Sequence, residues 1–253
     1  MIIKGNEMNK VKVSAVSYAN TYPFIYGLEK SDIIDQIELS LDCPSVCATK
    51  LFSDNVDIGL IPIALIPKLK YSEIISDYCI GSSGEVKSVI LVSNTELLNI
   101  NNIYLDHESR TSNELVKILA KQFWHINPAF IFPEKDVLDQ IPSDSAALLI
   151  GDKSFNYENK FKHVIDLAKE WTNYTQLPFV FACWVANKHL PKIFKVDFSK
   201  ALNIGIKNID NIINTNYRDI NKIPSPKKYF QENIDYLLDD RKKKAMDLFI
   251  SYL

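Results

Sequence analysis

The sequence has little of several features that mark specialised classes of protein. Its 253 residues carry 29 basic and 31 acidic side chains, a net charge of −2, which gives no general attraction to nucleic acid or to an anionic membrane. No stretch approaches the roughly 20 apolar residues of a spanning helix. Residues 1–8 lack the apolar core of a secretion signal. We therefore expect a cytoplasmic protein that binds neither nucleic acid nor membrane.

Cysteine and histidine are scarce and scattered. The four cysteines form no Cys-x-x-Cys pair, and no histidine lies at zinc-ligand spacing from any of them, so no metal site is expected. Buried thiols in a reducing compartment are the simpler interpretation. The four histidines do not cluster near any candidate motif, which leaves no basis for a histidine-activated nucleophile.

Strand-like and helix-like segments alternate along most of the chain. Strands are predicted over residues 11–16, 37–41, 56–60, 86–93, 103–106, 129–132, 145–150, 164–166 and 179–186. Helices are predicted over residues 23–29, 44–52, 111–124, 167–175, 194–213, 227–238 and 241–253. The alternation predicts an α/β fold with a largely parallel sheet.

Two long apolar segments, 86–93 and 179–186, bracket a complete α/β unit. They are expected to be crossover strands between two lobes, with residues 1–92 and 181–253 in lobe one and residues 93–180 in lobe two. In parallel sheets the loops that contact ligands follow the carboxyl ends of strands. The cleft between the lobes is therefore the expected site.

Polar groups follow several of these strands. Asn20 precedes the first helix, and the turn 81–85 leads to Ser88 without the second glycine or the helix of a nucleotide-binding loop. Thr111 and Glu114 have the spacing of a capping box, which predicts a helix start that can hold a carboxylate or phosphate. Asp152 follows Gly151 at the end of another strand. These residues alone predict a two-lobed protein with a small-anion cleft.

Seven segments, taken in order over residues 9–187, resemble the chorismate dehydratase family of the futalosine route to menaquinone. They are Ser17-Tyr-Ala-Asn20-Thr-x-Pro23, Pro44-Ser45, Val56-Asp-Ile-Gly-Leu-Ile-Pro62, Ser82-x-Gly84-x-Val-Lys-Ser88-Val89, Ser109-Arg-Thr-Ser112, Asp144-x-Ala-Ala-Leu-Leu-Ile-Gly-Asp152 and Asp166-Leu-x-x-x-Trp171-x-x-x-Thr175-x-Leu-Pro-Phe-Val-Phe-Ala-x-Trp184. One departure is Gln176, where many members have glycine, and we expect it to affect a turn and not the chemistry.

The resemblance implies a type II periplasmic-binding-protein-like fold and a reaction without a cofactor. Chorismate would lose water to give 3-[(1-carboxyvinyl)oxy]benzoate. The hydrogen on the ether carbon is vinylogously acidic, and loss of hydroxide makes the ring aromatic. The protein must then hold two carboxylates and stabilise the charge that grows on one of them.

The resemblance also suggests roles for individual residues. Asn20, Ser88 and Asp152 are the candidate catalytic residues, and the proton acceptor is either Asp152 or the substrate's own side-chain carboxylate. The candidate substrate-binding residues are Tyr18, Ser45, Ser83, Gly84, Thr111, Ser112 and Trp184.

Two other functions remain open. A 1,4-dihydroxy-6-naphthoate synthase of the same pathway would share the fold, although the first loop, Ser-Tyr-Ala-Asn, favours the dehydratase. A small-anion-binding protein without catalysis is the alternative from another class. The chain is expected to be a monomer or a homodimer, and the C-terminal helices either form a dimer surface or cover lobe one.

Overall fold

The computed structural model describes residues 10–134, 138–157 and 160–253. The strands in this part of the chain are β1 (Val11–Val16), β2 (Ile37–Asp42), β3 (Ile58–Pro62), β4 (Glu73–Ser82), β5 (Val89–Ser93), β6 (Asn102–Tyr104), β7 (Ala129–Ile131), β8 (Ser145–Ile150), β9 (His163–Asp166), β10 (Phe179–Ala186) and β11 (Asp235–Leu237). The α-helices are α1 (Tyr22–Glu29), α2 (Pro44–Phe52), α3 (Arg110–Gln122), α4 (Leu167–Thr175), α5 (Lys192–Lys207), α6 (Ile209–Asn214), α7 (Pro226–Lys228) and α8 (Asp240–Ser251).

The strands form two separate mixed sheets. The first has the order β11-β4-β10-β3-β1-β2, and the second has the order β7-β6-β8-β5-β9. In the first sheet β1 is parallel to β2 and β3, whereas β10 is antiparallel to β3 and β4. In the second sheet β6 is parallel to β7 and β8, whereas β5 is antiparallel to β8 and β9. The two sheets confirm the predicted two-lobed α/β fold. The prediction of a largely parallel sheet is wrong, because β10, β11 and β5 pair antiparallel with their neighbours.

The chain passes from the first sheet to the second through residues 83–88 and returns through α4 and the turn that follows it. Strand β5 begins three residues later than predicted and lies wholly in the second sheet. An apolar run indicates that a strand is buried, but it does not indicate which sheet the strand joins. The chain therefore enters the second sheet at residue 89 and returns to the first sheet at residue 179, in each case a few residues before the predicted lobe boundary.

The C-terminal part of the chain covers the first sheet. Helix α5 packs on α1, where a side chain at Gly27 or at Gly205 would collide with backbone of the other helix. Helix α8 packs on β10. The helix predicted over 227–238 is wrong, because α7 is followed by the π-helical turn Tyr229–Asn233 and by β11, which pairs with β4. Pairing with a sheet edge here overrides the local helical pattern.

Candidate functional site

A cavity of about 60 Å³ lies between the two lobes, where several strands end. It is lined by the last residues of β1, β3 and β8, by the segments that follow β1, β2 and β8, and by the start of α3. Residues of β4 and β10 also line it, as do Val86, Ser88 and Val89 at the entry to β5. The volume is well below the ~300 Å³ of a small-molecule pocket. Hydrogen bonds join the two lobes across the cleft, so the lobes are closed on each other.

The lining combines an apolar middle with polar groups at helix starts. Val16, Ile80, Val86, Ile150 and Phe181 supply apolar surface. No charged side chain lines the cavity in the part of the chain that the structure describes. An anion here would be held by hydroxyls, amides and the positive ends of helices.

The helix starts come from both lobes. Pro44, at the start of α2, and Thr21, just before α1, lie on the first lobe, whereas Ser109 to Ser112, at the start of α3, lie on the second. Since the positive ends of α2 and α3 reach the cavity from different lobes, the arrangement suits a ligand with two anionic ends.

Asn20 and Ser88 both line the cavity, as the hypothesis of a shared site requires. The Asn20 side-chain oxygen accepts a hydrogen bond from the Thr21 hydroxyl at 3.1 Å. Ser88 is buried, and its hydroxyl oxygen accepts a hydrogen bond from the Tyr229 hydroxyl at 2.9 Å.

The connecting segment that carries Ser88 is held from both sides. The Asp166 carboxylate accepts a hydrogen bond from the Lys87 amide at 2.7 Å, and Lys87 has a left-handed backbone with φ 66°. The carbonyl of Ser88 accepts a hydrogen bond from the Gly151 amide at 2.8 Å. These contacts set the direction in which the Ser88 side chain leaves the backbone.

Thr111 and Ser112 also line the cavity, but the expected capping box is wrong. The N-cap of α3 is Ser109, whose hydroxyl oxygen accepts a hydrogen bond from the Ser112 amide at 3.1 Å. Ser109 donates to the Ser112 hydroxyl at 2.7 Å, so the hydrogen of Ser112 can be donated to a ligand. The Thr111 hydroxyl donates across the cleft to the carbonyl of Phe181 at 3.0 Å, and this bond joins the lobes.

Asp152 does not line the cavity. Its two carboxylate oxygens lie 3.1 and 3.2 Å from the backbone nitrogen of Ala19, which donates to them from the other lobe. Burial raises the pKa of the Asp152 carboxyl above its usual value, and the Ala19 amide offsets part of the rise. The geometry makes Asp152 a contact that closes the lobes.

Tyr18 takes part in the same closure and also lines the cavity. Its hydroxyl donates to Glu108 on the second lobe. Its ring packs on the backbone of Gly151, where a Cβ atom would come within 2.8–2.9 Å of three ring carbons. Gly151 has φ 66°, a conformation that favours glycine. We call the contacts Tyr18–Glu108, Ala19–Asp152 and Thr111–Phe181 the closure contacts.

Four predicted binding residues lie away from the cavity lining. Ser45 lies at the start of α2, next to Pro44, with its hydroxyl 3.4 Å from the Cys43 sulfur. Ser83 is exposed and donates to Asp235 at 2.7 Å. Gly84 has nothing within 4 Å of its Cβ position.

Trp184 is the fourth of these residues, and it does not line the cavity. It is fully buried in lobe one and packs edge-on against Phe24 and Phe198. Strand residues alternate between the two faces of a sheet, and Trp184 lies on the face that α1 and α5 cover. The motif alone did not show which face that would be.

Several lining residues were not predicted. Ser109 was not among the predicted binding residues. Its position three residues before Ser112 is nevertheless the spacing of an N-cap and N3 pair. Thr21 follows Asn20 directly. Tyr229, which contacts Ser88, lies in a region without any recognised motif, so no sequence signal could have indicated it.

The described ranges contain neither a candidate metal site nor a candidate membrane span. No group of three or more His, Cys, Asp or Glu side chains there could hold a metal ion. Within the same ranges no helix is both long enough and apolar enough to cross a membrane.

Two lobes closed over a cavity at strand ends define the class of periplasmic-binding-protein-like folds, and similar solved structures agree. A protein of Archaeoglobus fulgidus has a TM-score of 0.75 at 17% identity, over 97% of both chains. The alkanesulfonate-binding protein of Xanthomonas axonopodis pv. citri, bound to MOPS, has a TM-score of 0.64 at 12% identity, over 96% of this chain and 93% of that one. A Candida albicans protein described as having the generic periplasmic binding protein fold has a TM-score of 0.65 at 13% identity, over 95% and 90%.

A family model described as menaquinone biosynthesis matches residues 11–253, and the chain belongs to that family. A curated relative, the chorismate dehydratase of Campylobacter jejuni subsp. jejuni (strain 81-176), is 25% identical over 243 residues. The match covers 93% of this chain and 94% of the relative.

Proposed function

We propose that this protein dehydrates chorismate to 3-[(1-carboxyvinyl)oxy]benzoate for menaquinone synthesis. Family membership and the chorismate dehydratase relative support this proposal. The observation that carries it is the uncharged cavity where Asn20, Ser88 and the start of α3 converge. Chorismate has a cyclohexadiene ring between two carboxylates, and this lining combines apolar side chains with helix starts from opposite lobes.

In the proposed reaction the C–H bond at the ether carbon breaks first, and its electron pair spreads through the ring to the ring carboxylate. The helix start at Ser109–Ser112 stabilises that carboxylate by its amides and hydroxyls. The C–O bond to the ring hydroxyl then breaks, and the ring becomes aromatic. The proton and the departing hydroxide leave together as water.

The substrate's own side-chain carboxylate is the proposed proton acceptor. It is tethered next to the hydrogen that leaves, and an intramolecular base has a high effective concentration. Asp152 faces the Ala19 amide and does not line the cavity, which argues against a role as base. Asn20 and Ser88 then act as hydrogen-bond donors to the substrate.

The test is to incubate the purified protein with chorismate and to follow an aromatic product by absorbance and mass. Turnover with loss of one water is expected. Ser88→Ala and Asn20→Ala should each lower kcat by about 10²–10³, the usual effect of losing one donor to a developing anion. Ser251→Ala is a matched control, because Ser251 is an exposed residue at the end of α8.

Three outcomes would count against the proposal. Chorismate that is bound but unaltered would favour an anion-binding protein, and chorismate that is neither bound nor altered would favour a later enzyme of the pathway. Normal turnover by both Ser88→Ala and Asn20→Ala would show that the site has been misplaced.

A further inference from the structure

The C-terminal segment 229–236 contacts Ser88 and Asn20, two of the three candidate catalytic residues. It consists of the π-helical turn Tyr229–Asn233, Ile234 and the start of β11. Tyr229 is 2% exposed and Tyr236 is 5% exposed. Single π-helical turns are rare and occur frequently at functional sites. The recognised motifs end at residue 187, so none of them accounts for this segment.

Each of three side chains in the segment makes a hydrogen bond to the site. The Tyr229 hydroxyl donates to the Ser88 hydroxyl oxygen at 2.9 Å. The Tyr236 hydroxyl donates to the backbone carbonyl of Asn20 at 3.0 Å. The Asn233 amide donates to the carbonyl of Glu85, in the connecting segment before Ser88, at 2.9 Å.

The direction of the bond between Tyr229 and Ser88 has a chemical consequence. A serine hydroxyl has one hydrogen and two lone pairs. When Ser88 accepts from Tyr229, its own hydrogen is available to an oxygen atom in the cavity that Ser88 lines. Donation by one hydroxyl also polarises the next, which makes Ser88 a stronger donor.

Tyr229 is suited to be a permanent donor. Burial holds the pKa of its hydroxyl well above the usual value, so the hydroxyl keeps its proton over the whole physiological range. Its ring is fixed edge-on between Phe155 on the second lobe, at 5.0 Å between centroids, and the adjacent Phe230, at 5.1 Å. These contacts do not involve the hydroxyl, so a phenylalanine at this position preserves them.

We propose that Tyr229 is a positioning residue whose hydroxyl directs the hydrogen of Ser88 into the cavity, towards an oxygen of the substrate. This inference rests on the proposed function, because it assigns Ser88 as a donor during the dehydration. Tyr229 itself acts through Ser88, and its hydroxyl also lies within hydrogen-bonding reach of the Asn20 side chain. The C-terminal segment is thereby part of the site as well as a cover for lobe one.

A double-mutant cycle tests the proposal, using Tyr229→Phe, Ser88→Ala and the double variant of the full chain. Tyr229→Phe should lower kcat by about tenfold or more and change KM by less than about threefold. The same substitution in the Ser88→Ala background should change kcat by a much smaller factor, about threefold or less, because the residue through which it acts is gone and only the contact with Asn20 remains. An equal loss of kcat in both backgrounds would overturn the proposal.

Tyr236→Phe is the matched control, because it also removes one buried tyrosine hydroxyl next to the site. Its hydrogen bond ends on a backbone carbonyl, so its effect should be the same whether Ser88 is present or not. If Tyr229→Phe does not fold, 3-fluorotyrosine at position 229 alters the acidity of the hydroxyl with little change in packing. Its effect on kcat should likewise become much smaller with Ser88→Ala, and an undiminished effect would refute the proposal that Tyr229 acts through Ser88.

Turnover by the wild-type protein distinguishes failure of the proposed function from failure of the proposed role of Tyr229. Absence of product from the wild-type protein would refute the proposed function and with it the role of Tyr229. Normal turnover by the wild-type protein together with an additive cycle would refute only the role of Tyr229.

Discussion

Replacing Asp152 by asparagine distinguishes a base from a closure contact. The substitution keeps the size of the side chain and one oxygen that can accept from the Ala19 amide. If the carboxylate removed the proton, its loss would cost about 10²–10⁴ in kcat. The structure points to a much smaller effect, because both oxygens lie within 3.2 Å of the Ala19 nitrogen on the opposite lobe.

The expected magnitude follows from the hydrogen bond. A bond to a charged acceptor contributes about 1 kcal/mol more than a neutral one, and 1 kcal/mol corresponds to about a fivefold change in an equilibrium. Burial opposes this gain, because it raises the pKa of Asp152 and so disfavours the charged form. Asp152→Asn should therefore change lobe closure and KM by about fivefold or less. Asp152→Ala leaves the Ala19 amide unpaired, which costs about 1–3 kcal/mol and should raise KM.

Steady-state kinetics with chorismate, combined with melting curves, measures both effects. A loss of kcat by Asp152→Asn of more than about 100-fold, with unchanged KM and an intact fold, would refute the assignment and identify Asp152 as the base. Comparing the KM values of Asp152→Asn and Asp152→Ala is a second check. If alanine is tolerated better than asparagine, the oxygen atom is not what holds the lobes together.

The pH dependence of stability gives an independent test of the same group. Burial raises the pKa of Asp152 in the folded protein above the unfolded value of about 4. Its contribution to stability is therefore fully present below about pH 4 and is lost as the pH rises through the raised value. Relative to Asp152→Asn, the wild-type protein should become less stable over that interval. If the wild-type protein became more stable than Asp152→Asn as the pH rose through this interval, burial could not be the cause of a raised pKa of Asp152.

Three further predictions concern stability and reactivity. Gln176 ends α4 with φ 59°, so Gln176→Gly should stabilise the fold by about 0.5–1 kcal/mol in chemical denaturation. Gly151→Ala combines a left-handed backbone with a clash against the ring of Tyr18 and should destabilise by about 2–5 kcal/mol in the same assay. Of the four thiols only Cys43 is half-exposed, and burial raises the pKa of Cys183 to about 12. A disulfide-exchange reagent should therefore titrate one fast thiol in the native protein and four in denaturant.

Each of these three predictions has its own control or contrary result. Gly84→Ala is matched to Gly151→Ala, because nothing lies within 4 Å of its Cβ position, and it should be close to neutral. A gain in stability from alanine at position 151 would contradict the strain argument. A loss of stability in Gln176→Gly would show that the side-chain bond from Gln176 to the Asn173 carbonyl outweighs the backbone cost. More than one fast thiol would contradict the burial of the other three.

Much of the secondary structure was predictable because it depends on neighbouring residues. Strands β1, β8 and β10 and helices α2 and α4 have the predicted bounds. Each combines a continuous apolar or amphipathic pattern with a clear start, such as Pro44 in α2 or the Asp166 cap of α4. Strand β4 was not predicted, and 227–238 was assigned to a helix, because both segments owe their conformation to pairing with distant strands.

The site was predicted in part for the same physical reason. Residues next to strand ends or in the first turn of a helix reach the cavity because strand ends lie there: Asn20 follows β1, Ser88 directly precedes β5, and Ser112 lies in the first turn of α3. Whether the side chains of Asp152 and Trp184 reach the cavity depends on the direction in which they point once the lobes are closed and the sheet is covered. Neither the loop nor the strand that carries these residues specifies that direction.

Local patterns in the chain were thus sufficient for the order of most elements, the two-lobed class and the family. Packing between distant segments was needed to set which polar groups meet in the cavity. The bond between Ser88 and Tyr229 joins residues 141 positions apart, and the bond between Ala19 and Asp152 spans 133. Such contacts form only when both lobes are folded and closed, because each partner is held by a different set of neighbours.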